Sequence, residues 1–311
     1  MKSMEAITRF YDENLGELIE RLENRRVGLR KKIVLFSRVL ITVAVLVTLA
    51  LMIVTDWSWF GILFSVAFIS LALYGLAYNY LAKDFVLQYK EGIFRPVLQE
   101  IDSDLLYERE SFVDEALLQN SQMFPKESVF KGNDLIKGRV LGVPMAFSDL
   151  EVRYTDRRDK ESRTLFHGSF FVAQFNKKIE SKTVLRPSEG RIEKMISALD
   201  LGPSDKISMD SPEFNKRFTV LSDNTVEAHY ILSHTMMERL IGLLDQVKYG
   251  MEVVFYENYL FIAITAPDRF EPTLFDSLSD SEKIRDFFKP LFLLLGIVEE
   301  LKLNEKLWSK E

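Results

Sequence analysis

Three histidines, at 167, 229 and 234, and not one cysteine make up the chain's stock of imidazole and thiolate ligands and neutral-pH bases. The missing thiols exclude disulfides, zinc–thiolate centres, iron–sulfur clusters and cysteine nucleophiles. His229 and His234 stand five apart, so on one helix they point about 140° from each other, poor geometry for a shared metal. His167 lies in Leu165–Phe171, an apolar strand-like run, and reads as a core or edge residue in preference to a catalyst. Asp102 and Asp104 form a DxD pair of the kind that holds metal-bound nucleotide sugars, but on a helix with no nucleotide signal beside it the pair reads as a solvated face. The segments Gly132–Gly138 and Gly138–Gly142 lack both the Lys-Ser/Thr of a phosphate loop and the glycine spacing of a dinucleotide turn. What remains is a basic patch, Arg153, Arg157, Arg158, Lys160 and Arg163, interleaved with Asp156, Asp159 and Glu161. It is a candidate phosphate or lipid-headgroup site, with a charged turn as the plainer alternative. No cofactor and no metal are expected.

The elements that must carry these residues begin with a membrane anchor. Residues 33–54 contain one charge, Arg38, and residues 59–81 contain none. At 1.5 Å per residue each run reaches roughly 33 Å, enough to cross a hydrocarbon core. Only four residues, 55–58, join them, which forces an antiparallel helical hairpin. Arg25, Arg26, Arg30, Lys31 and Lys32 precede the first run and the joining loop has no Lys or Arg, so both termini are expected on the cytoplasmic side of a bacterial inner membrane. Trp57 and Trp59 are expected at the outer interface, with the five basic residues anchoring the inner one. No acid, histidine or lysine lies inside the runs, so the hairpin reads as an anchor in preference to a transport path.

Ahead of the hairpin, Ile7, Tyr11, Leu15, Leu18 and Leu22 recur at helical spacing, predicting an amphipathic helix over 4–31 that packs on the rest of the chain or self-associates. Residues 83–311 carry 31 basic and 39 acidic side chains, a net charge of −8 that argues against nucleic-acid binding. A helix with a kink near Pro96 should leave the membrane, followed by an irregular stretch over 111–126. Strands are expected from Asp134 to Tyr154, over 164–175, at 183–185 and over 214–221. A hairpin of 251–256 and 259–265 should follow, turning at Glu257-Asn258. Helices are expected from Ser188 to Leu199, from an Asn224 cap to Ile231, from a Thr235 cap to Gly250, and over 281–303 with Pro290 kinking or restarting it. The whole reads as α+β: a cytosolic amphipathic helix over 1–32, a transmembrane hairpin over 33–81, and over 82–311 a cytosolic antiparallel sheet with packed helices.

The order of Gly132-Asn133-Asp134-Leu135-Ile136-Lys137-Gly138, Leu165-Phe166-His167-Gly168-Ser169-Phe170-Phe171, Phe175-Asn176-Lys177, Phe218 to Tyr230 with Asp223, and Leu260 to Ala263 resembles an uncharacterised bacterial two-span membrane-protein family. That family is a domain of unknown function sometimes auto-named galanin, without relation to the hormone. The resemblance brings no activity or catalytic residue. It implies a LemA-like helical membrane protein as a gene neighbour and candidate partner. The function expected is a membrane-anchored adaptor or scaffold that binds a protein or forms a homo-oligomer. The alternatives are a membrane-bound enzyme with a dispersed site and headgroup binding by the 153–163 loop.

Overall fold

A computed structural model describes residues 2–54, 58–155, 162–188, 205–247, 250–265, 271–301 and 303. The chain divides into two compact units. One joins Ser3–Val97 to Glu271–Phe287, and the other holds Met1–Lys2, Leu98–Phe270 and Phe288–Glu311.

The first unit is helical. Helix α1 (Met4–Asn14) is capped by Ser3, whose Oγ accepts from the Ala6 amide at 3.3 Å, and it buries Ile7 and Tyr11. The single helix expected over 4–31 is interrupted at Leu15, where Asn14 and Gly16, both poor helix formers, flank the break. Helix α2 (Gly16–Val54) then runs 39 residues, burying Ile19, Leu22, Arg26 and Ile33 in its charged first half. Helix α3 (Trp59–Tyr89) starts at Ser58, whose Oγ accepts from the Gly61 amide. Both helices contain stretches long and apolar enough to cross a membrane, and only 6% of each such stretch is buried within the chain. Leu35, Ile53, Phe64, Leu71 and Tyr80 are among the large side chains left facing outward. After Tyr89 a π-helical turn (Lys90–Phe94) leads into α4 (Arg95–Ile101). Pro96 accounts for it: the proline ring crowds the carbonyl four residues back, that of Gly92, and a turn widened by one residue relieves the crowding. The kink expected near Pro96 is this turn.

Among the described residues, the second unit is built on seven antiparallel strands in the order β1-β2-β3-β4-β6-β5, with β7 also on β4. These are β1 (Leu106–Glu108), β2 (Val129–Val140), β3 (Val143–Thr155), β4 (Ser162–Pro187), β5 (Asp205–Ile207), β6 (Phe218–Ser222) and β7 (Met251–Thr265). The long β4 organises them. Its first half pairs β3, its last residues pair β6, and β7 follows its other edge through irregularities between Gln174 and Thr183. Leu141 (φ 49°) and Gly142 (φ 81°) close the β2–β3 hairpin in the two-residue turn whose positive φ values match strand twist. The core gathers Phe124, Phe130, Phe166, Phe170 and Phe261 with Leu118, Val152, Val184 and Val254.

Several local expectations are corrected. Residues 251–265 form one strand, not a hairpin: Glu257 takes φ 54° as a bulge opposite Ile179, and β4 is long enough to pair both halves. Residues 183–185 are the far end of β4, not a separate strand. The stretch over 214–221 begins as helix α6 (Pro212–Arg217), with Ser211 capping Phe214 and Pro212 in the first turn, before β6 takes over at Phe218. Within 111–126, Asp114 caps a short helix α5 (Glu115–Asn120). Helix α7 (Thr225–Ile231) keeps its Asn224 cap, and α8 (His234–Gln246) is capped by Ser233, not Thr235. Helix α9 (Ser281–Glu300) contains Pro290. The helix expected from Ser188 to Leu199 lies outside the described residues.

Gly132 and Gly138, prominent in the motif order, have packing roles. A Cβ on Gly138 would overlap the Asp104 carbonyl oxygen, and one on Gly132 the Asp149 carbonyl oxygen and Phe112. Neither backbone contact can move aside like a side-chain tip. Gly138→Ala is therefore expected to lower stability by about 2 kcal/mol, within the range of overpacked cores. A thermal-denaturation comparison with Gly142→Ala, which has open space but a positive φ, separates overlap from backbone strain.

Candidate functional site

The densest set of specific side-chain contacts in the helical unit surrounds residues 271–278. Arg26 is 3% exposed although charged. Its Nε and Nη2 donate to the two Glu23 carboxylate oxygens at 2.9 and 2.6 Å, and its Nη1 donates to the Leu274 carbonyl at 2.7 Å. Glu23 in turn accepts from the Leu278 amide at 2.9 Å and the Ser277 hydroxyl at 3.1 Å. The Arg26 guanidinium bonds are the first cause, and the Leu278 amide a further one, of a Glu23 carboxyl lowered to about 2. The Tyr11 hydroxyl donates to the Leu278 carbonyl at 2.9 Å, and burial pushes this phenol up. From α3, the Tyr78 hydroxyl accepts from the Leu274 amide at 3.3 Å and its ring stacks on Phe275 at 6.3 Å. The Arg30 guanidinium lies 5.9 Å from the same Phe275 ring. Lys90, 3% exposed, donates to Glu271 at 3.1 Å. The segment is thus a strap that ties α1, α2 and α3 together beyond the ends of the apolar runs.

The positions singled out by sequence distribute as follows. Ile7, Tyr11 and Leu22 are buried and Leu15 and Leu18 half-buried, and a Cβ on Gly92 would press on Leu18. The apolar face of the N-terminal helices is therefore spent inside the chain. Of the basic residues before the first run, Arg25 pairs with Asp84 of α3 at 3.6 Å and Arg26 turns inward, while Arg30, Lys31 and Lys32 are exposed. Trp59 is exposed, and Trp57 lies outside the described residues. In the basic patch Arg153 pairs with Glu151 and Arg163 lies over the Tyr154 ring, both on the β3–β4 pair, whereas Arg157, Arg158 and Lys160 lie outside the described residues. His167 is exposed and registers across from Glu151. His234 pairs with Glu238 one turn on, at 3.3 Å. Asp102 and Asp104 follow the end of α4 instead of lying on it, and Asp102 accepts from the Asp104 amide as a turn cap. Among the described residues no three His, Asp or Glu side chains converge as a metal site.

Besides the strap, two further features escaped sequence reasoning. Along the hairpin, a groove of about 730 Å³ runs between the spans, walled by Leu40, Ala44, Leu63 and Ala67 with Thr48 and Ser70 among them. In the sheet unit, Glu252 of β7 is 1% exposed, and its Oε1 accepts from Arg186 Nε at 3.1 Å. Its Oε2 has no hydrogen-bond partner among the described residues. Burial, only partly offset by Arg186 and Lys182, pushes this carboxyl up to about 7. The signal available was a lone acid in the apolar run Met251–Phe255. Other buried acids are satisfied structurally: Asp134 receives the Tyr107 hydroxyl and Asp149 the Ser169 hydroxyl at 2.8 Å.

Residues 164–303 match the sequence profile of a family described as protein of unknown function (DUF3137). This agrees with an uncharacterised family as expected from the motif order. No curated protein matches the chain. Among solved structures, the crystal structure of the mycobacterial trehalose monomycolate transport factor A, TtfA, is similar at 11% identity and a TM-score of 0.34, over 67% of this chain and 94% of that one. A likeness at that level carries no functional argument.

Proposed function

We propose that the chain is a membrane-anchored adaptor or scaffold, seated by its helical hairpin in a bacterial inner membrane with both termini cytoplasmic. The observation that carries this reading is the outward-facing apolar surface of α2 and α3, of which the chain itself covers almost nothing. Water does not tolerate such a surface, and lipid or neighbouring spans do. The hairpin groove offers a second copy or a partner span a place to pack. On the sheet unit, α7 presents Val226, 80% exposed, and Tyr230, 43% exposed, one helical turn apart. This pair is the contact surface for a cytosolic or membrane-bound partner, and a LemA-like protein is the candidate that the family resemblance supplies.

The test is purification of tagged full-length protein in native nanodiscs, with mass determination and identification of accompanying chains. A homo-oligomer or a stoichiometric partner is expected. Val226→Asp with Tyr230→Asp should lower recovery of a sheet-bound partner at least tenfold while leaving membrane insertion unchanged. A monomer with no crosslinked partner in cells overturns the reading.

A further inference from the structure

Beside the strap, within the helical unit, lies a cavity of about 300 Å³ whose walls include Tyr89, Phe287, Glu271, Asp276 and Asp286. The Tyr89 and Phe287 rings meet at 82° with centroids 5.3 Å apart, so they form two walls of an aromatic corner. Tyr89 is 2% exposed, and among the described residues no partner takes its hydroxyl. The hydroxyl is not among the sealed orphan atoms, Ser128 Oγ and Glu252 Oε2, so it opens onto the cavity that Tyr89 lines. A cavity-facing hydroxyl that no protein group takes leaves a hydrogen bond for a bound polar group to make.

The charges decide what that group is. Glu271 is neutralised by Lys90 at 3.1 Å, and Asp276 is held by the Thr273 hydroxyl at 2.5 Å. Asp286, exposed on α9, has no ion-pair partner among the described residues. The described lining is therefore net negative, which repels phosphate and carboxylate. Among the described residues its carboxylates do not converge into the group of three that a hard divalent cation needs. Carboxylates beside perpendicular aromatic faces suit a cation with apolar substituents, held by ring quadrupoles and a nearby counter-charge.

We propose that this cavity binds an organic ammonium ion, with Tyr89 and Phe287 as the aromatic corner, Asp286 as counter-charge and the Tyr89 hydroxyl accepting from the ammonium N–H where it has one. Tyr89 lies eight residues beyond Leu81, about 12 Å along the helix from the end of the apolar run. A soluble amine and the amine headgroup of a phospholipid can both supply the ion there.

The test uses full-length protein in nanodiscs of phosphatidylglycerol alone, titrated with tetramethylammonium and followed by saturation-transfer NMR against empty discs. A second arm uses discs of equal phosphatidylethanolamine and phosphatidylglycerol. Saturable binding in the first arm is expected, weakened at least tenfold by Asp286→Asn and by Phe287→Leu. Asp286→Asn alters only an exposed carboxylate, and unchanged circular dichroism confirms its fold. If the second arm blocks tetramethylammonium, the source is the lipid headgroup, and if it does not, the source is a soluble amine. No saturable binding in the first arm, or binding that both variants leave within twofold, overturns the proposal. The mass of the particle, read from the same discs, reports on assembly separately, so the scaffold reading and this site can fail independently.

Discussion

Arg26→Ala is expected to detach the strap, at a cost of about 3–5 kcal/mol, the range for removing one partner of a buried ion pair. The variant deletes both bonds to Glu23 and the bond to the Leu274 carbonyl together. It also leaves Glu23, whose side chain is 18% exposed, facing the Leu278 amide without its counter-charge. Hydrogen exchange of the Leu274 and Leu278 amides should accelerate by two or more orders of magnitude, while amides of the sheet unit stay unchanged. Arg26→Lys should recover less than half of the loss, because an ammonium cannot span two carboxylate oxygens and a carbonyl in one plane. Lys31→Ala, at an exposed position, is the matched control. The same pair sets an acid limit. A carboxyl lowered from 4.5 to about 2 contributes stability above pH 4.5, and that contribution is lost as pH falls from 4.5 through about 2. Strap exchange that does not respond to Arg26→Ala would show that the segment is held by its apolar contacts alone.

Glu252→Gln is expected to change the pH profile of the sheet unit in the opposite sense. Its carboxyl is raised from 4.5 to about 7, so the folded chain holds the proton more tightly than the unfolded one. The associated stability is fully present below pH 4.5, declines as pH rises, and is gone once pH passes about 7. The charged form costs about 3 kcal/mol relative to the protonated one. Denaturation of the wild-type protein between pH 5 and 8 should therefore show a loss that the glutamine variant lacks, the two curves separating toward pH 8. Arg186, its side chain 22% exposed at the end of β4, reaches solvent when its partner is neutral, which limits the penalty of the substitution. Parallel curves would mean that in solution water or the Arg186 pair offsets the burial of Glu252 and leaves its carboxyl in the ordinary range.

How much of this was legible in sequence follows from how local each signal is. The hairpin was readable because its outward apolar surface needs no partner within the chain, so hydropathy and flanking charge suffice. The Asn224 cap was readable because its hydrogen bond closes within three residues. Residues 251–265 were misread because Tyr256-Glu257-Asn258 resembles a turn, and only the length of β4 makes the chain continue straight. Residues 214–221 carry Phe214, Phe218 and Val220 at spacings of four and two, which fit helix and strand equally until Ser211-Pro212 starts the helix. The strap was invisible because Arg26 and Leu274 lie 248 residues apart, and no spacing rule links them. The i,i+3 spacing of Glu23 and Arg26 is local, but Arg26 was read as one of the five basic residues anchoring the inner interface.

A cysteine-free chain permits a direct test of the anchor, the claim on which the rest depends. Single cysteines at Glu13, Asp56 and Val226 would be exposed in turn to a membrane-impermeant maleimide in intact spheroplasts. Labelling at Asp56→Cys alone, with Glu13→Cys and Val226→Cys reacting only after lysis, is the expected result. Labelling of Glu13→Cys or Val226→Cys before lysis, or release of the unlabelled protein from membranes by alkaline carbonate, would contradict the account.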